Sequence, residues 1–117
     1  MYGPDFVDLT LIDLPGIVRT LGKDDDKGLV KDIANLIDDY ITNDRCVVLA
    51  VVPANVDFHN SQILSDAKKH DPTTQRTIPV ITKPDLVDKG AKGGVLDLLL
   101  GNSMDEFAMG FHMVKCR

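Results

Sequence analysis

Short runs of β-branched and aliphatic residues alternate with helix-spaced apolar stripes along most of this 117-residue chain. After a turn-like lead, Met1 to Pro4, the run from Val7 to Ile12 predicts a strand that breaks into a polar turn at Asp13. Val18 to Lys27 is polar and interrupted by glycine, with Asp24, Asp25 and Asp26 in succession, and predicts a solvated loop. Val30, Ile33, Ile37, Tyr40 and Ile41 then recur at helical spacing, giving an amphipathic helix from Leu29 to Thr42. Cys46 to Val52 is apolar at both alternate sets of positions, the pattern of a central parallel strand covered on both faces. Pro53 to Asp57 closes it as a loop.

A second helix is predicted from Asn60 to Lys69, with Asn60 as N-cap, Ile63 and Ala67 facing inward and Pro72 just beyond its end. Ile78 to Ile81 reads as the next strand. Pro79 inside it cannot donate to a ladder, so either the strand starts at Val80 or the pairing is bulged there. Asp88 to Gly94 is a Gly/Lys-rich turn, Val95 to Leu100 a short helix ended by Gly101-Asn102-Ser103, and Phe111 to Val114 a last strand. Such alternation predicts an α/β fold, a mostly parallel sheet with helices on both faces.

Composition narrows the classes without choosing one. With 44% hydrophobic residues in 117, the chain holds one domain's worth of core at most. Its net charge of −5 argues against binding nucleic acid or anionic membrane through bulk charge. The longest apolar run, Cys46 to Pro53, is too short to span a bilayer, and no signal-peptide pattern opens the chain. Cys46 and Cys116 make no disulfide or metal framework, which suits a reduced, cytoplasmic compartment. His59, His70 and His112 share no ligand spacing and read as surface or packing residues. Met104, Met109 and Met113 flank Phe107 and Phe111 and read as core or exposed former core rather than a functional patch.

Candidate chemistry sits where two of the strands end. Thr82-Lys83-Pro84-Asp85 follows the strand ending at Ile81, and ligands of open parallel sheets bind just beyond such ends. A carboxylate at Asp85 can accept two parallel hydrogen bonds from the N1–H and exocyclic amine of guanine, a pair that adenine does not offer. The Lys83 stem can lie along one face of the base with its ammonium in water. Thr/Asn-Lys-x-Asp arises by chance in roughly a few per cent of chains this long, so it needs a second motif beside it. Asp13-Leu14-Pro15-Gly16 supplies one, again after an apolar run. Asp13 suits a Mg²⁺ ion held through water, and Gly16, lacking a Cβ, lets its N–H approach a terminal phosphate.

Taken together, Leu9 to Ile17, Leu49 to Asn55 and Thr77 to Asp85 resemble the dynamin superfamily of large GTPases, and Val114 to Arg117 is similar to its Mx branch. The resemblance covers essentially the whole chain. It implies a three-layer, mostly parallel sheet of the P-loop GTPase type, present only as the central and carboxyl-terminal part of a GTPase domain over residues 1–117. It also implies binding of GTP or GDP with Mg²⁺, pairing with another dynamin-like GTPase domain, and membrane remodelling. Any membrane or microtubule association would run through segments of full-length relatives. Asp88 joins the base-side residues because the family motif continues as Thr-Lys-x-Asp-x-x-Asp. In Pro53-Ala54-Asn55-Val56-Asp57, Asp57 corresponds to an acid that reaches a partner domain.

One departure bears on activity. No Gly-x-x-x-x-Gly-Lys-Ser/Thr occurs in the 117 residues. The expectation is a chain that begins after the phosphate loop and first strands, that hydrolyses little alone, and that exposes apolar edges at Leu9 to Ile12 and Val47 to Val52. A non-catalytic interaction module, dimerising with intact relatives, is the alternative. A phosphoacceptor signalling domain fits less well, since Asp13 has no acidic neighbour and the second strand ends in Pro53-Ala54.

Overall fold

The computed structural model describes residues 8–16, 27–58, 61–87, 92–102 and 107–115. Elements run in the order α1 (Lys27–Ile41), β1 (Val48–Pro53), α2 (Gln62–His70), β2 (Thr77–Thr82), a 3-10 turn (Pro84–Leu86), α3 (Lys92–Leu99) and β3 (His112–Met113). The chain divides into two compact units, Met1–Ile37 and Asp38–Arg117. Asp24 to Asp26, His59, Asn60, Asp88, Met104 and Cys116 lie outside the described residues.

An α/β arrangement is what forms. Its sheet is parallel throughout, in the order β1-β2-β3, with Val48 opposite Thr77 and Pro53 opposite Thr82 in one pair and Val80 opposite His112 in the other. On one face Ala50, Val52, Thr77, Pro79 and Ile81 are buried, and Leu64 and Ala67 of α2 belong to the same core. Val95 and Leu98 of α3 join it, as do Phe58, Phe107 and Phe111. The other face of β1 is open: Val47 is 55%, Leu49 57% and Val51 49% exposed.

That openness corrects the reading of Cys46 to Val52 as a central strand covered on both faces. Among the described residues β1 is an edge strand. The Val48 N–H donates to Arg76 O and the Ala54 N–H to Thr82 O. Even-numbered peptide groups of β1 therefore face β2, and those of Leu49 and Val51 face away. Both alternate sets are apolar, which states what can be covered and not what is.

The strand expected from Val7 to Ile12 is corrected too over its described part, Val7 lying outside the described residues. Residues 8–16 carry no regular structure, and Leu9 and Leu11 are 74% and 80% exposed. A strand exists only by pairing, and no strand is paired with this stretch among the described residues. Its β-branched pattern could not supply the partner.

Pro79 takes neither course expected of it. β2 begins at Thr77 and pairs with β1 through Pro79 without a bulge, Pro79 lying opposite Ala50. Because the Ile81 carbonyl accepts from Val114 N–H, odd-numbered groups of β2 face β3. The missing N–H of Pro79 thus falls on that flank, where pairing starts one residue later at Val80. The proline sits where its lost donor breaks no rung.

α1 and α2 follow the sequence pattern closely, while α3 begins at Lys92, inside the expected turn and three residues before the expected Val95. α1 holds Val30, Ile33 and Ile37 half-buried and Ile41 fully so, while Tyr40 is 40% exposed. In α2 the N-cap position is Ser61, one residue after the expected Asn60, and Leu64 is more deeply buried than Ile63. Lys68, Lys69 and His70 fill the last turn of α2, where positive charge suits the helix dipole. His70 packs as a surface residue, its Nε2 3.1 Å from Asp38 Oδ1 and its Nδ1 3.5 Å from Thr42 Oγ1. No described helix is long and apolar enough to cross a membrane.

Candidate functional site

Every strand of a parallel sheet ends on the same side, so the loops after β1, β2 and β3 share one rim. Backbone bonds continue past the strands to fasten them. Ala54 N–H donates to Thr82 O at 2.7 Å, the Thr82 hydroxyl reaches Val52 O at 3.4 Å, and Val114 N–H meets Ile81 O at 2.8 Å.

Beyond Thr82 the chain turns abruptly. Lys83 takes the left-handed conformation, φ 54° and ψ 52°, and caps the 3-10 turn that has Pro84 at its start. Leu86 N–H closes that turn on Lys83 O at 3.0 Å. Proline fixes its own φ near the helical value, which suits the first position of the turn. Its ring also disfavours the right-handed helical region at the residue before, which works against Lys83 beginning the helix early. A left-handed lysine is uncommon, and such strain persists only where the surroundings over-determine it. The result presents Lys83 and Asp85 exposed on the rim, with Thr82 and Pro84 half-buried beneath them.

Alongside, Ala54 is buried at 4% exposure while Asn55, Val56 and Asp57 are exposed, and Val56 N–H turns back to Pro53 O at 3.3 Å. Phe58 then returns to the core at 8% exposure. Val114 and Lys115 are exposed after β3. The rim thus brings the Thr82 to Asp85 turn and the Asp57 loop to the ends of neighbouring strands.

Asp13 to Gly16 belong to the other compact unit. Asp13, Pro15 and Gly16 are exposed and Leu14 is half-buried. A Cβ built on Gly16 meets nothing within 4 Å, so the fold itself does not require glycine there. Among the described residues no cluster of three or more His, Cys, Asp or Glu could hold a metal ion. Asp13 alone suits only a hydrated ion that has other ligands of its own, as Mg²⁺ bound to phosphate has.

Two features of this end of the molecule were not legible from residue types. One is the left-handed Lys83, since Lys-Pro ordinarily signals extended backbone. The other is Phe58, whose burial anchors the Asp57 loop and whose only signal was one aromatic residue in a polar stretch.

Comparison with known proteins bears on these residues directly. The model of the Dynamin family matches residues 1–84. Interferon-induced GTP-binding protein Mx1 of Mus musculus is 46% identical over 114 residues, covering 97% of this chain and 18% of that protein. Mx2 of Oncorhynchus mykiss and Mx of Dicentrarchus labrax are each 43% identical over 97% of the chain, which spans 18% and 17% of their lengths. Both acidic turns and the Pro53 to Asp57 loop fall within or against the matched region, and the chain belongs to the dynamin family.

Proposed function

We propose that this chain is the guanine-reading and partner-facing part of a GTP-binding domain. The single observation that carries the proposal is the left-handed Lys83 turn at the end of β2, which holds Lys83 and Asp85 outward on the rim. In this reading the Asp85 carboxylate accepts the N1–H and amine of guanine, the Lys83 stem covers one face of the base, and Thr82 and Pro84 shape the turn. Asp88 follows in the same motif and would support it.

Asp13, Leu14, Pro15 and Gly16 would meet the phosphate side. Mg²⁺ fits Asp13 as a hydrated ion carried on the nucleotide phosphates, where it would neutralise their charge. Phosphoryl transfer rests on positioning and electrostatics around those phosphates. The 117 residues contain no Gly-x-x-x-x-Gly-Lys-Ser/Thr cradle, so this chain alone would hydrolyse little GTP. Its Asp57 loop would instead dock on the GTPase domain of an intact relative. Membrane remodelling, which the resemblance implies for the family, is proposed for the whole protein and not for this stretch.

Titrating the chain with fluorescent GDP, GTP and ATP tests the reading. GDP and GTP should bind weakly and alike, and ATP should not bind. A strong preference for the triphosphate would overturn the reading that the base-side residues dominate nucleotide binding by this chain alone. Indifference between guanine and adenine would overturn the role of Asp85.

A further inference from the structure

The exposed Asn55 to Asp57 loop ends on Phe58, and what holds Phe58 is a stack of braces from three other parts of the chain. The Phe58 ring meets Phe111 edge-on, with centroids 6.5 Å apart and planes at 77°. Phe111 in turn meets Phe107 at 5.5 Å and 84°. All three rings are buried, and Lys68 Nζ of α2 stands 4.9 Å over Phe107. Edge-to-face pairs fix mutual ring orientation as well as burying area.

The brace is fastened at its far end by strain. Thr74 is buried and has φ 54°, a conformation that a β-branched residue rarely adopts. In that conformation its N–H bonds Asp71 O at 2.9 Å and its hydroxyl accepts the Ala108 N–H at 3.0 Å. Gly110 N–H then closes on Phe107 O at 2.8 Å with φ 68° at Gly110, turning the chain so that Phe111 faces Phe58. The surroundings maintain the costly Thr74 conformation, and its hydroxyl fixes the turn that carries the rings.

We infer that Phe58 and Phe111 are positioning residues for Asp57: the ring pair sets where the acidic loop stands on the rim, and so controls docking of a partner GTPase domain. This rests on the proposed docking role of Asp57. Phe58 is buried, and it acts through the exposed loop that ends one residue before it. Because Phe111 leads directly into β3, the same pair ties that loop to the residues following β3.

The test uses the full chain, an intact dynamin-family protein, and GDP with aluminium fluoride. Association is measured by calorimetry, and amide exchange is followed at Asn55 to Asp57 and at Ile78 to Thr82. Phe58→Leu, which removes one edge-to-face pair, should weaken association on the order of 3- to 10-fold, and Phe111→Leu, which removes two, should weaken it at least as much. Each should speed exchange at Asn55 to Asp57 while exchange in β2 stays at the parent rate, and the double variant should be no worse than Phe111→Leu alone. Phe58→Met, whose flexible unbranched side chain fills irregular space without a ring, stands in if Phe58→Leu fails to fold. Unchanged association and loop exchange in folded Phe58 variants, or additive effects of the two rings, would overturn the inference. If Asp57→Ala leaves association unchanged while Phe58→Leu still loosens the loop, the docking role fails and only the control of docking falls with it.

Discussion

Asp85 and Asp71 are both acids set just after a regular element, and their surroundings give them opposite work. Asp85 is exposed in the first turn of the 3-10 segment, free to meet a ligand. Replacing it with Asn turns a pure acceptor into a mixed amide. Asp85→Asn should cost guanine nucleotide on the order of 1–3 kcal/mol and shift preference towards xanthine, read by competition titration. Asp71 is 4% exposed at the end of α2. Burial penalises its charge, but hydrogen bonds from the Thr77 hydroxyl, the Arg76 N–H, the Thr73 hydroxyl and the Gln75 N–H outweigh that penalty and hold the carboxyl below its ordinary range. A carboxyl depressed by folding stabilises the protein above the unfolded value of about 3.9, and this contribution fades as pH falls through the lower folded value. Asp71→Asn should therefore destabilise the chain by about 1–3 kcal/mol at neutral pH, and the gap from the parent should close on acidification. Melts across a pH series in which the two run parallel down to the acid limit would contradict this.

Elements are joined by fewer residues than their lengths suggest. Arg76 reaches three backbone carbonyls: its guanidinium lies 3.5 Å from Asn43 O, 3.2 Å from Cys46 O and 2.6 Å from His70 O. It thereby fastens the turn between α1 and β1 to the end of α2. Arg76→Ala should lose about 1–3 kcal/mol by leaving those acceptors short of a donor, and Arg76→Lys should recover only part because a single ammonium cannot fork. Urea denaturation of the three proteins reads both effects. The sequence foretold α1, α2 and β2 to within a few residues, because periodic apolar positions record packing that the element makes with its own side chains. Leu9 to Ile12 misled for the opposite reason: a strand depends on a neighbour that its own residues do not encode. Lys83 shows the limit at the site. Its identity, with that of Asp85, was enough to propose chemistry, yet the left-handed turn that presents both came from Pro84 and the surrounding fold acting together.

The sheet has one buried face, an opposite face that is exposed along β1 and half-buried along β2, and, among the described residues, an unpaired flank on β1. Leu49 and Val51 combine outward peptide groups with half-exposed side chains, and no charge interrupts Cys46 to Pro53. Natural edges are usually guarded by charge, proline or a bulge. The chain on its own should therefore self-associate, and Val51→Lys should reduce that association. Sedimentation showing a monomer for the parent at micromolar concentration, or no change on Val51→Lys, would dismiss this edge as the cause. At the rim the ladder has a different consequence. Ala54 N–H closes on Thr82 O, so the Asp57 loop and the Lys83 turn leave the sheet from one rung, and the spacing of their starting points is the strand separation of about 4.8 Å. No side chain sets that distance. Point substitutions can change what either loop recognises while leaving the gap alone, whereas an insertion or deletion within β1 or β2 would shift the two starting points along the strands and off their common rung. Chemistry and spacing at this rim are therefore free to diverge through separate kinds of genetic event.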